Sequence, residues 1–129
     1  MEHDILAQAL SAINNAASRG KTEVTINSAS KVIVAVLEIL KREGYAESYV
    51  REENGKGGTI TLKISGQVNK IGAIKPRFHV NKTEFEKFEQ SYLPAKDFGR
   101  IIVSTSKGYM THIEAKQKGI GGALIAYVY

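Results

Sequence analysis

The amino-acid sequence predicts an α+β protein of two small domains: an N-terminal α/β unit over residues 1–66, ordered helix-strand-helix-strand-strand, and a mostly β C-terminal domain over residues 67–129 with short helices. Three observations predict it. Residues 4–17 and 31–42 repeat apolar side chains at helical spacing. Residues 45–52 and 59–65 alternate apolar and polar side chains around an Asn-Gly, the usual mark of a β-hairpin. The segment "GQVNKIGAIKPRF", with glycines at 66 and 72 and a proline at 76, separates these elements from a second set.

Taken in order, Ile5, Leu6, Ala9, Leu10, Ile13 and Ala16 fall on one face of a first helix, with Asp4 available as its N-cap. Arg19-Gly20-Lys21 ends it, and "TEVTI" alternates as a short strand with Val24 and Ile26 inward. The hydroxyl-rich "NSAS" precedes residues 31–42, whose five β-branched residues favour a strand. That run is too long for one and closes on a basic turn and a glycine, so a buried helix with Val32, Ile33, Val36, Leu37 and Leu40 inward is expected. After the hairpin and the joint, a strand is expected over 74–80, then a short helix placing Phe85, Phe88 and Tyr92 together before Pro94. "RIIVS" reads as a buried strand and "ALIAYVY" as a closing one.

Composition excludes several functions. No cysteine is present, which removes disulfides, thiolate metal sites and cysteine nucleophiles. His3, His79 and His112 have no metal-ligand spacing, so surface or structural histidines and no metal or other cofactor are expected. No apolar run approaches the roughly 20 residues of a membrane span, and the first ten residues carry acids where a signal peptide carries bases. A soluble cytoplasmic protein with no membrane partner is expected. Of the net charge of +5, none falls in residues 1–66, where eight basic residues meet eight acidic ones; residues 67–129 hold ten against five. An excess confined to one half fits a polyanion-facing surface, or a solvated basic face.

The densest motif is the hydroxyl run Ser104, Thr105, Ser106, followed by Lys107 and Gly108, between a buried strand and a helix start. Thr111 and Glu114 have capping-box spacing, which fixes that start and clamps the 104–110 loop at both ends. Clamped hydroxyls suit base or ribose recognition, whereas the commoner fate of such residues is to bond their own backbone. Gly119, Gly121 and Gly122 follow a helix and open a strand, the reverse of a dinucleotide fingerprint, and imply a helix end and a close backbone approach to a partner. Lys75, Arg77 and Phe78 put two cations and a ring in an extended segment, suited to phosphate contact and stacking or to blunting an edge strand. Glu84, Glu86 and Glu89, beside Lys82 and Lys87, are expected to be solvated rather than an acid/base set.

The run "IIVSTSKGYMTHIEAKQKGIGGALIAYVY", together with "LAQALSAINNA", "SASKVIVAVLEILKREGY" and "GQVNKIGAIKPRF", closely resembles the universal small-subunit ribosomal protein family numbered eight over essentially the whole chain. The long "GQVNKIGAIKPRF" segment and the "AYVY" end look like its archaeal and eukaryotic branch, archaeal in particular. The resemblance implies a non-enzymatic, two-domain constituent of the small ribosomal subunit that binds an irregular helix in the central domain of small-subunit ribosomal RNA and supports assembly. Its partners are that RNA and neighbouring small-subunit ribosomal proteins, with no small-molecule substrate. By resemblance, Ser104, Thr105, Ser106, Lys107 and Gly108 match the principal RNA-contacting loop, and Gly121, Gly122 and Tyr127 match a terminal strand forming the same surface. Ser30 and Lys31 match a contact of the N-terminal domain to a neighbouring RNA helix, while Lys75, Arg77 and Phe78 are supporting backbone contacts. Two alternatives are a free-standing RNA-binding regulator, such as a translational repressor, and a small hydrolase using Ser104 or Ser106.

Overall fold

The computed structural model describes residues 5–27, 30–53, 58–74, 77–95 and 98–129. The Asp4 cap, Ser28-Ala29, the Asn-Gly of the first hairpin and Pro76 lie outside the described residues. The architecture is α+β, and the chain divides into two compact units, Met1–Ile71 and Gly72–Tyr129.

The first unit runs helix-strand-helix-strand-strand. Helix α1 (Ile5–Ser18) buries Leu6, Ala9, Leu10, Ile13 and Ala16, the stripe the 3.6-residue period dictates. Ile5 departs from the expected inward position: at the first residue of the helix it is 44% exposed. Strand β1 (Glu23–Ile26) is followed by α2 (Lys31–Arg42), where periodicity prevails over the β-branched composition because both ends are capped. Ser30 accepts a hydrogen bond from the Ile33 N–H at 3.4 Å, while Lys41 and Arg42 face the negative end of the helix dipole. Strands β2 (Ala46–Glu52) and β3 (Thr59–Ile64) complete an antiparallel sheet of order β1-β3-β2. Central β3 alternates strictly, burying Ile60, Leu62 and Ile64.

The second unit is built on a sheet of order β4-β8-β6-β7, with β5 also paired to β8. The single strand expected over 74–80 is instead two short ones, β4 (Ile71–Ala73) and β5 (His79–Val80). Both run beside β8 (Gly122–Val128): Ile74 donates its N–H to the Ile125 carbonyl, and Phe78 accepts from Leu124. A proline between them has no N–H to extend a ladder. Helix α3 (Phe85–Tyr92) follows, then β6 (Arg100–Thr105), β7 (Gly108–Thr111) and α4 (His112–Lys118). One apolar cluster joins these elements, including Val80, Phe85, Ile101, Val103, Met110 and Leu124. Among the described residues no helix is long and apolar enough to cross a membrane.

Candidate nucleic-acid interface

Strands β6 and β7 bring the hydroxyl run to the tip of a tight hairpin. The register pairs Val103 with Met110, Ser104 with Tyr109 and Thr105 with Gly108, leaving only Ser106 and Lys107 in the turn. The sequence implied a loop over 104–110; the chain pairs there instead, because Tyr109 and Thr111 favour strand and Met110 buries against Val103. Gly108 sits at φ +109, a conformation costly for residues with a Cβ, and so lets the chain reverse after two residues. Thr105 braces the turn, its Oγ1 donating to the Gly108 carbonyl at 2.7 Å and accepting from the Lys107 N–H at 3.1 Å. Of the three hydroxyls, Thr105 therefore follows the self-bonding pattern common in turns. Ser104 is partly exposed, and Ser106, Lys107 and Gly108 are exposed. On the far side of the hairpin the capping box forms as its spacing requires: Glu114 donates its N–H to Thr111 Oγ1, and Thr111 donates its N–H to Glu114 Oε1, each at 3.2 Å.

Strand β8 lies against β6 of this hairpin on one side and β5 on the other because two glycines allow it. A Cβ on Gly122 would strike the Ser104 carbonyl oxygen, and one on Gly121 would strike the Val80 carbonyl oxygen. The close approach anticipated at Gly121-Gly122 is thus to the chain's own backbone, and it sets Ala123 opposite Ser104. Tyr127 is not brought to the tip. It pairs with Ile101, at the other end of β8, and its ring stacks between Tyr92 at 5.5 Å and Tyr129 at 6.3 Å. Arg77 and Phe78 are exposed beside the start of β8, with the Phe78 ring 5.5 Å from Phe88. Lys75 lies outside the described residues. Ser30 and Lys31 belong to the first unit, as the N-cap and first residue of α2.

The family model for Ribosomal protein S8 matches residues 4–129. The chain belongs to the Ribosomal protein S8 family. Members are structural ribosomal proteins rather than enzymes, so this S8 chain is a ribosomal protein that binds ribosomal RNA and sits among ribosomal neighbours.

Behind the hairpin the S8 chain holds a polar trio that sequence reasoning missed, in which Glu89 and His112 are buried and Lys116 is partly exposed. Glu89, expected to be solvated with Glu84 and Glu86, is only 6% exposed, whereas the other two are exposed. Its carboxylate receives Lys116 Nζ at 2.7 Å and lies 3.4 Å from His112 Nε2, an approach too poorly aligned to be a hydrogen bond. His112 is fully buried, and its Nδ1 accepts the Ile101 N–H at 3.0 Å, fastening α4 to β6. An accepting Nδ1 places the proton of the neutral ring on Nε2, the nitrogen on the Glu89 side of the ring. Burial holds the imidazole below the ordinary histidine value; the Glu89 charge pulls it upward, and Lys116 and Arg100 push it down. The spacing contained the signal: Glu89 stands four residues after buried Phe85, on the same helical face.

Proposed function

We propose that the β6–β7 hairpin tip binds an irregular helix in the central domain of small-subunit ribosomal RNA, making this protein a cytoplasmic constituent of the small subunit that supports its assembly. One observation carries the reading: Thr105 braces the turn from within, so Ser104 and Ser106 are presented at fixed positions on a rigid hairpin. An irregular RNA helix opens its shallow groove, exposing base edges and 2′-hydroxyls that a serine can both donate to and accept from. Lys107 supplies a phosphate contact, and exposed Gly108 lets backbone approach RNA closely. Gly122 serves by holding β8 beside the tip, Gly121 by letting the chain lie close against Val80, and Tyr127 by packing under α3. Lys31, at the exposed start of α2, offers a further phosphate contact next to the Ser30 hydroxyl. Lys75, Arg77 and Phe78 are assigned supporting contacts to the RNA backbone. The "GQVNKIGAIKPRF" segment and the "AYVY" end favour the archaeal branch of the family.

The test is a salt-titrated comparison of binding to a central-domain small-subunit RNA fragment and to the same fragment with its irregularity repaired to regular pairs. Much tighter binding to the irregular form is expected. Equal binding to both would reduce the tip to a generic basic surface.

A further inference from the structure

The positive charge of residues 67–129 is unevenly spread. Residues 84–97 hold four acidic residues against two basic ones, whereas the remainder of that half holds eight basic residues against one acidic. An acidic island thus sits in otherwise strongly basic sequence. On this island a groove of about 270 Å³ is lined by Glu86, Glu89, Gln90, Leu93, Pro94 and Ala95. The first four of these stand at i, i+3, i+4 and i+7, which is one face of α3 carried through its C-cap. Leu93, Pro94 and Ala95 supply apolar wall, and the carboxylates supply charge. Lys116 matches Glu89 at 2.7 Å, but exposed Glu86 has no ion pair or hydrogen bond among the described residues, so the groove keeps a negative rim.

An exposed ring borders the groove. Ala95 and Phe98 form a β-bridge, the Phe98 N–H donating to the Ala95 carbonyl at 3.1 Å. Phe98 is 50% exposed, although its ring lies 6.4 Å from that of Tyr129. A half-exposed phenylalanine beside an apolar cleft is the mark of a contact surface, and the carboxylates there repel phosphate. We infer that this groove docks an extended, arginine-bearing segment of a neighbouring ribosomal protein. One guanidinium meets Glu86 while its alkyl stem lies along Leu93 and Pro94, and a second stacks on Phe98. Arginine fits better than lysine because its planar fork pairs with a carboxylate and its face stacks on a ring. The groove is smaller than the roughly 300–1,000 Å³ of sites for drug-sized molecules, which suits a single long side chain. The inference rests on the small-subunit reading above, since neighbours that themselves bind RNA carry arginine and lysine. Phe98 precedes the start of β6 and the hairpin tip follows its end, so six residues, about 20 Å at about 3.3 Å each, separate the two surfaces. RNA at the tip and a protein segment at the groove can therefore be held together.

The first probe is a five-residue peptide alternating glycine and arginine, capped at both ends, with a citrulline version as its uncharged control. Titrated into the isolated protein and followed by amide NMR shifts, the arginine peptide is expected to move Glu86, Gln90 and Phe98 and to leave Ser106 and Lys107 in place. The citrulline version should bind roughly fivefold more weakly. Glu86→Gln and Phe98→Ala, both at exposed positions, should each weaken the arginine peptide by roughly two- to fivefold. The chain has no cysteine, so Gln90→Cys puts a single thiol in the groove. In purified small subunits assembled with this variant, a maleimide–phenylglyoxal reagent, which joins a thiol to a guanidinium, is expected to link that thiol to an arginine of a ribosomal protein. A thiol as reactive in the subunit as in the free protein, or one covered by RNA alone, overturns the docking surface. So does an arginine peptide that binds no better than its citrulline version. If the variant and wild type both fail to sediment with small subunits, the small-subunit reading itself falls, an outcome separate from the groove's.

Discussion

Thr105 and Ser106 are adjacent hydroxyls with opposite duties. Thr105 spends its oxygen on the turn, so Thr105→Ala is expected to cost about 1 kcal/mol of folding stability, read from urea unfolding. Ser106 is exposed at the tip, and Ser106→Ala is expected to weaken specific RNA binding by about 1 kcal/mol with no change in salt slope. Lys107→Ala should behave the other way, lowering that slope by about one phosphate contact. A reduced slope for the serine variant would contradict its assignment to hydroxyl recognition. Gly122 is constrained on a third ground: any Cβ meets the Ser104 carbonyl, so Gly122→Ala should destabilise the unit by about 1–3 kcal/mol through overpacking, measured in the same unfolding experiment.

At the scale of elements, α4 is held by its capping box at one end and by His112 and Lys116 along its length. His112 makes that attachment sensitive to pH. In the folded chain its pKa is lowered, chiefly by burial, so the unfolded chain binds the extra proton first as pH falls. Stability from this residue is therefore complete above the unfolded value of about 6.5 and is lost below it until the folded value is reached. The contribution to the slope approaches about 1.4 kcal/mol per pH unit within that window. Urea unfolding at a series of pH values should show a smaller slope below pH ~6.5 for His112→Gln than for wild type; equal slopes would mean that the imidazole charges without cost. Helices α2 and α4 were legible in the sequence because hydroxyl caps and a glycine just past the last turn agree on their ends, and α1 and α3 because of their apolar stripes. The β6–β7 hairpin was less legible, since hydroxyls, lysine and glycine read equally well as a loop, and its pairing depends on Met110 finding Val103.

For the whole molecule, charge and fold are divided differently. The first unit is electrically balanced to residue 66 yet carries Lys31 at the exposed start of α2, and all the net positive charge lies in residues 67–129. Lys31→Ala is expected to lower the salt slope of RNA binding by about one phosphate while leaving the preference for an irregular over a regular helix unchanged. A loss of that preference would assign shape recognition to the first unit. By itself the sequence determined the α+β class, the element order of the first unit, the family resemblance and the segment carrying the hydroxyls, because these follow from local periodicity, capping and motif order. Only the tertiary structure decided that Glu89 is buried, that Gly121 and Gly122 serve internal packing, and that Tyr127 lies away from the tip. Those facts depend on strand register and on contacts between residues distant in the chain, and a one-residue change of register would reverse the face of every side chain in a strand.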